Sequence, residues 1–165
     1  MFALLRKCIF FFCLWCCCIS PAFSAVYTTS MLVSVNVMPG CILTATPLVF
    51  GFYSPYAATS TKSISRLKVL CTLNTPYNIA LDQGSGQLAS TQLRTMTGPG
   101  AKTIRYLLSQ NPSDTINWGN TIGVDTVVGR GSGTPQYLVV YGRIPPKQNV
   151  SIGAYKDVVN VNIIF

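Results

Sequence analysis

Beyond residue 24, no stretch of this chain keeps an apolar 3.6-residue period for ten residues between breakers. Apolar residues gather in short runs, and Gly, Pro, Asn or Ser stops each one. Helices of ordinary length are thereby excluded, and short strands joined by turns remain. "MLVSVNV" (31–37), "PLVFGFY" (47–53), "ISRLKVLC" (64–71) and "YNIALD" (77–82) open the series. "KTIRYLL" (102–108), "VDTVV" (124–128), "QYLVVYGRI" (136–144) and a terminal run over 155–165 complete it. Turn clusters such as "DQGSGQ", "TGPG", "QNPSD", "GRGSG" and "IPPKQN" lie between them. This spacing predicts an all-β sandwich or barrel, with no repeat, linker or second domain in the run of motifs. "GRGSG" is read as a hairpin turn, because no Lys-Ser/Thr follows it as in a phosphate-cradling loop.

The first residues are expected to be removed. Arg6 and Lys7 precede an uncharged apolar run from Cys8 to Ile19, and "SPAFSA" follows with small residues at Ala22 and Ser24. That order is a signal peptide over residues 1–24, cut just before Ala25. Its apolar run falls short of the roughly 20 residues that span a bilayer. Five cysteines leave with it, and Cys41 and Cys71 remain. In an oxidising compartment these two read as one disulfide, the alternative being two free buried thiols. Two thiolates without any His make half a zinc site, so neither a metal nor another cofactor is expected.

Charge and inventory narrow the function. The whole chain carries 12 Lys/Arg and 4 Asp/Glu; without Arg6 and Lys7 the difference is 10 − 4 = +6. The bases are dispersed and form no runs, so nucleic acid is not an expected partner. His and Glu are absent, and the usual general base with them. Asp82, Asp114, Asp125 and Asp157 suit turn or surface roles, and no "GxSxG" elbow occurs. The sequence therefore reads as a non-enzyme. Trp118 in "NWGN" reads as a core or corner residue in preference to a binding aromatic.

Two segments carry the functional argument. At the end of the sequence Val159, Val161, Ile163 and Phe165 alternate with polar positions and are expected to face the core. Nothing follows Phe165 to form a strand beside them, so that edge is expected to need a strand from elsewhere. Near the start, Tyr27, Thr29, Met31, Val33, Val35 and Val37 share one parity. Pro39-Gly40 stops that run before Cys41. Alternation alone fits either a strand donated to another chain or an ordinary first strand of this one.

Across residues 41–165 an ordered set of motifs resembles the spore coat protein U domain family, which includes subunits of archaic, Csu-type chaperone–usher pili. The set comprises "CILTATPLVFGFYSP", "LKVLCTLNTPYNIALDQG", "LRTM", "IRYLL", "NWGN", "VVYGRIPPKQ" and "GAYKDVVNVNIIF". Val158 departs from the Thr usual after "YKD". The resemblance implies an incomplete immunoglobulin-like β-sandwich lacking its last strand and completed in trans by donor-strand complementation. It implies a donor extension over 25–40, with the six residues of shared parity as the donor strand, and a sandwich domain over 41–165. Val159, Val161, Ile163 and Phe165 become the acceptor-groove edge. A periplasmic chaperone, an outer-membrane usher and neighbouring subunits are the implied partners, and the implied destination is a secreted adhesive fibre. The alternative is a secreted spore-coat protein or single-domain adhesin that binds a surface or carbohydrate.

Overall fold

The computed structural model describes residues 24–165. Apart from Ser24, the expected signal peptide lies outside them. The chain divides into Met1–Asn36 and Val37–Phe165. In the first unit, residues 24–36 form no helix or strand, and every one is exposed.

The second unit is built from strands. They are β1 (Cys41–Ala45), β2 (Thr61–Cys71), β3 (Pro76–Leu81), β4 (Arg94–Thr97), β5 (Thr103–Ser109), β6 (Val127–Arg130), β7 (Gln136–Ile144) and β8 (Val161–Ile164). A single 3-10 turn, Pro99–Ala101, separates β4 from β5. Five strands form one antiparallel sheet in the order β1-β2-β7-β5-β4, and three form another in the order β6-β3-β8. Alternation decides which residues meet between the sheets. Leu67, Val69 and Cys71 of β2, Ile104, Tyr106 and Leu108 of β5, and Tyr77, Ile79 and Leu81 of β3 are all buried there.

Four strands keep close to their sequence-derived bounds: β2, β3, β5 and β7. Other stretches differ. Residues 31–37 form no strand and are exposed. Residues 47–53 form none either, although Leu48, Phe50 and Tyr53 pack onto the core. Pro47 has no N–H for a ladder, and the serines of β2 take its place: Ser65 Oγ donates to Thr46 O and Ser63 Oγ to Val49 O. Gly142 makes room for this segment, since a Cβ there would lie 2.8 Å from Leu48 and 2.9 Å from Phe50.

"GRGSG" is not a hairpin turn. Gly129 and Arg130 belong to β6 in the small sheet, and the chain then crosses to β7 in the large one. The crossing is fixed by Gly131 N–H to Thr75 O and Gly133 N–H to Cys71 O. β6 also starts later than "VDTVV" suggests, because Asp125 is committed to the preceding turn, where its carboxylate accepts from Thr121 N–H and Asn117 Nδ2. Of the terminal run, only 161–164 is a strand; Lys156 makes an isolated bridge to Thr97 instead.

Candidate functional site

β1 and β8 stand at the edges of different sheets and face one another. β1 pairs only with β2, and β8 only with β3. No described strand lies on the free side of either. A groove of about 510 Å³ opens between them, lined by Leu43 and Ala45 on one side and residues 159–163 on the other. Val159, Val161, Ile163 and Leu43 are half-buried and pack on the core, while Asn160 and Asn162 point outward. Beneath them lie the fully buried Leu67, Val69 and Ile79. The result is a slot with an apolar floor, bounded by two strand edges and with Asn160 and Asn162 at its rim.

Local bonding explains why this slot holds its shape. Cys41 and Cys71 lie directly opposite one another in the β1–β2 register and form a disulfide, which fixes one end of β1. On the other wall, β3 is secured along both edges. Its register with β8 runs from Asn78 opposite Ile164 to Leu81 opposite Val161. Asp82 extends that pairing: its N–H donates to Asn160 O, and its carboxylate accepts from Asn160 N–H and Nδ2.

The far edge of β3 runs out of strand partner after Ile79, where β6 begins. Residues 118 and 119 take over, with Trp118 Nε1–H donating to Ile79 O and Leu81 N–H to Gly119 O. Trp118 is thus structural, and almost wholly buried.

Arg94 closes this arrangement. It is fully buried, and its guanidinium donates to the carbonyls of Asp82, Thr91, Leu81 and Trp118 at 2.8–3.0 Å. Burial lowers its pKa, and the neighbouring Tyr106 and three carboxylates oppose that shift. In the sequence Arg94 is one of the dispersed bases, and its charge pattern does not set it apart. The signal that could have found it is its place in "LRTM", a lone cation between Leu93 and Met96 at the start of a short strand.

The other carboxylates are similarly committed. Asp157 accepts from the Tyr106 hydroxyl, Ser85 N–H and Oγ, and Val158 N–H. Burial, then the bond to Asp157, pushes the Tyr106 phenol well above its ordinary pKa. Asp114 accepts from Ser109 Oγ and pairs with Lys62 at 2.7 Å.

The sequence-derived site residues fall into two sets. Val159, Val161 and Ile163 line the groove. Phe165 does not share their environment: it is 56% exposed, one residue past the end of β8, where the core face has run out. Tyr27, Thr29, Met31, Val33, Val35 and Val37 all stay exposed, with Tyr27 at 94%.

Residues 27–162 match the family model described as the Spore Coat Protein U domain. The chain belongs to that family. A curated relative, "Protein U" of Myxococcus xanthus, is 33% identical over 160 residues, covering 88% of this chain and 89% of the relative. Among solved structures, the chain resembles one in the CsuC–CsuE chaperone–tip adhesion subunit pre-assembly complex from the archaic chaperone-usher Csu pili of Acinetobacter baumannii. That match has a TM-score of 0.57 at 24% identity, and covers 78% of this chain. It spans 40% of the solved chain, and it supports for this Spore Coat Protein U member an immunoglobulin-like β-sandwich fold.

Proposed function

We propose that the chain is a structural subunit of a chaperone–usher surface fibre, exported through the periplasm and polymerised by donor-strand exchange. The observation that carries this reading is the groove between β1 and β8, apolar at its floor and flanked by two strand edges that lack a described partner. An open slot of this kind suits one guest, an extended strand whose alternate side chains fill the core while its backbone completes both ladders.

The segment over 27–37 has the matching pattern, with Met31, Val33, Val35 and Val37 on one parity and all of them exposed. Burying four such side chains contributes on the order of 6–12 kcal/mol, at about 1.5–3 kcal/mol each. Ordering the arm opposes this at roughly 1–2 kcal/mol per residue, so ladder hydrogen bonds are needed as well. A periplasmic chaperone strand would occupy the groove first, and the arm of the next subunit would replace it at an outer-membrane usher. The fibre would serve adhesion and biofilm formation. No step of this function is catalytic.

The test is a paired substitution on β8. Val161→Asp places an unpaired charge in the groove wall and should abolish chaperone-bound soluble subunit, whereas Asn162→Asp, pointing outward, should be mild. Deleting residues 25–37 should leave a subunit that still binds chaperone but cannot extend a fibre. A copy of residues 27–37 fused through a short linker after Phe165 should give a soluble monomer. If the unfused exported chain is already a cooperatively folded monomer, its own residues complete the sandwich and the single-domain adhesin reading replaces this one.

A further inference from the structure

The outer face of the five-stranded sheet collects cations that look scattered in the sequence. Alternation on β2 sends Lys62, Ile64, Arg66 and Lys68 outward, and all four are exposed. Each sits opposite a β7 residue: Lys62 with Arg143, Ile64 with Tyr141, Arg66 with Val139, and Lys68 with Tyr137. Arg105 of β5 is on the same face, two residues before Leu107, which pairs with Arg143. Five of the chain's 12 Lys/Arg therefore share one side of one sheet.

Carboxylates are nearly excluded from it. Asp82, Asp125 and Asp157 are held by bonds in loops beside β3, β6 and β8. Asp114 alone reaches the rim, where it is matched by Lys62 at 2.7 Å and Arg143 at 3.5 Å. Between the cationic positions the face is apolar and open: Ile64 is 50% exposed and Tyr137 66%. A recess of about 350 Å³ opens beside Lys62, Ile64 and Tyr141.

We propose that this face binds a polyanionic glycan, a linear carbohydrate whose carboxylate groups recur along the chain. Same-face side chains on a strand recur about every 6.5–7 Å, so cationic and apolar positions alternate on the scale of a small repeating unit. Guanidinium forks and ammonium groups take the carboxylates. Ile64, Tyr137 and Tyr141 take the less polar ring faces between them, as amphipathic aromatics do. Single-stranded nucleic acid fits less well. Its bases need a succession of exposed aromatic platforms, whereas here one of the two tyrosines is half-buried. The binding face lies on the outer side of the large sheet and does not depend on how the β1–β8 groove is filled.

The experiment measures retention of the full exported chain, self-complemented by the fused copy of residues 27–37, on immobilised polygalacturonate, with neutral dextran, single-stranded DNA and phosphatidylglycerol vesicles as competitors. Polygalacturonate should bind and dextran should not, with affinity falling steeply between about 50 and about 200 mM salt. The triple variant Arg66→Gln, Lys68→Gln, Arg105→Gln should lose about tenfold or more. A control of equal charge change off the face, Arg130→Gln, Lys147→Gln, Lys156→Gln, should stay within about twofold. Tyr137→Ser, which alters no charge, should weaken polygalacturonate binding without changing the salt slope. Equal losses in the two triple variants would mean diffuse attraction to net charge and overturn the proposal. So would stronger binding of DNA or of vesicles than of polygalacturonate. Unchanged unfolding midpoints in all variants keep a folding defect from imitating the expected loss.

Discussion

Two segments of this chain carry nearly the same alternation and end in opposite states. Residues 27–37 place Met31, Val33 and Val35 on one parity, and all three are about four-fifths exposed or more. β2 places Leu67, Val69 and Cys71 on one parity, and none is more than 1% exposed. The difference lies in the neighbours. β2 has β7 beside residues 61–69, β1 beside residues 67–71 and β3 across the core, so its backbone is laddered along its length and its inward side chains are covered. Alternation is thus a capacity to fill a slot in a sandwich, and it says nothing about which slot or whose.

The contrast breaks most visibly under a charge. Val69→Asp should destabilise the domain by more than about 5 kcal/mol, because an ion is left unpaired between two sheets. In the chain self-complemented by the fused 27–37 copy, Val33→Asp in the exposed arm should leave the urea midpoint unchanged and affect only assembly. Equal destabilisation by the two would mean the arm is a packed strand of its own domain.

Arg94→Met comes next. It strips donors from four carbonyls, among them Leu81 O on the strand that supports β8, and should cost about 3–5 kcal/mol in urea unfolding. A near-neutral result would show that water replaces the guanidinium. The paired Cys41→Ser, Cys71→Ser variant should lose about 3–4 kcal/mol, the chain-entropy value for a bridge across a sequence separation of 30. Chaperone binding by that variant should weaken too, because β1 forms one wall of the groove.

The smallest effect concerns Tyr106, whose folded pKa is raised by burial and by its bond to Asp157. A raised phenol pKa contributes stability in full below about pH 10, and that stability is lost as pH rises further. Tyr106→Phe should cost about 1.5–2 kcal/mol at neutral pH through the lost charge-assisted bond. It should also flatten the alkaline decline in stability, read as urea midpoints from pH 8 upward. Buried Tyr77, raised likewise, contributes to the slope that remains.

The sequence by itself determined the all-β class, four strands close to their bounds, and the core parity of Val159, Val161 and Ile163. These follow from local period and turn chemistry, which a single segment carries within itself. It also left Cys41 and Cys71 as the only pair of thiols beyond residue 24. Tertiary structure alone decided the rest. Whether residues 129–133 turn a hairpin or cross between sheets depends on which strand receives β6, a long-range pairing with β3. Arg94 is buried because four carbonyls from three separate segments converge on it. Phe165 is exposed because the sheet ends one residue earlier. The groove exists because β1 and β8 close different sheets and leave a gap between them, and no single stretch of sequence encodes a space.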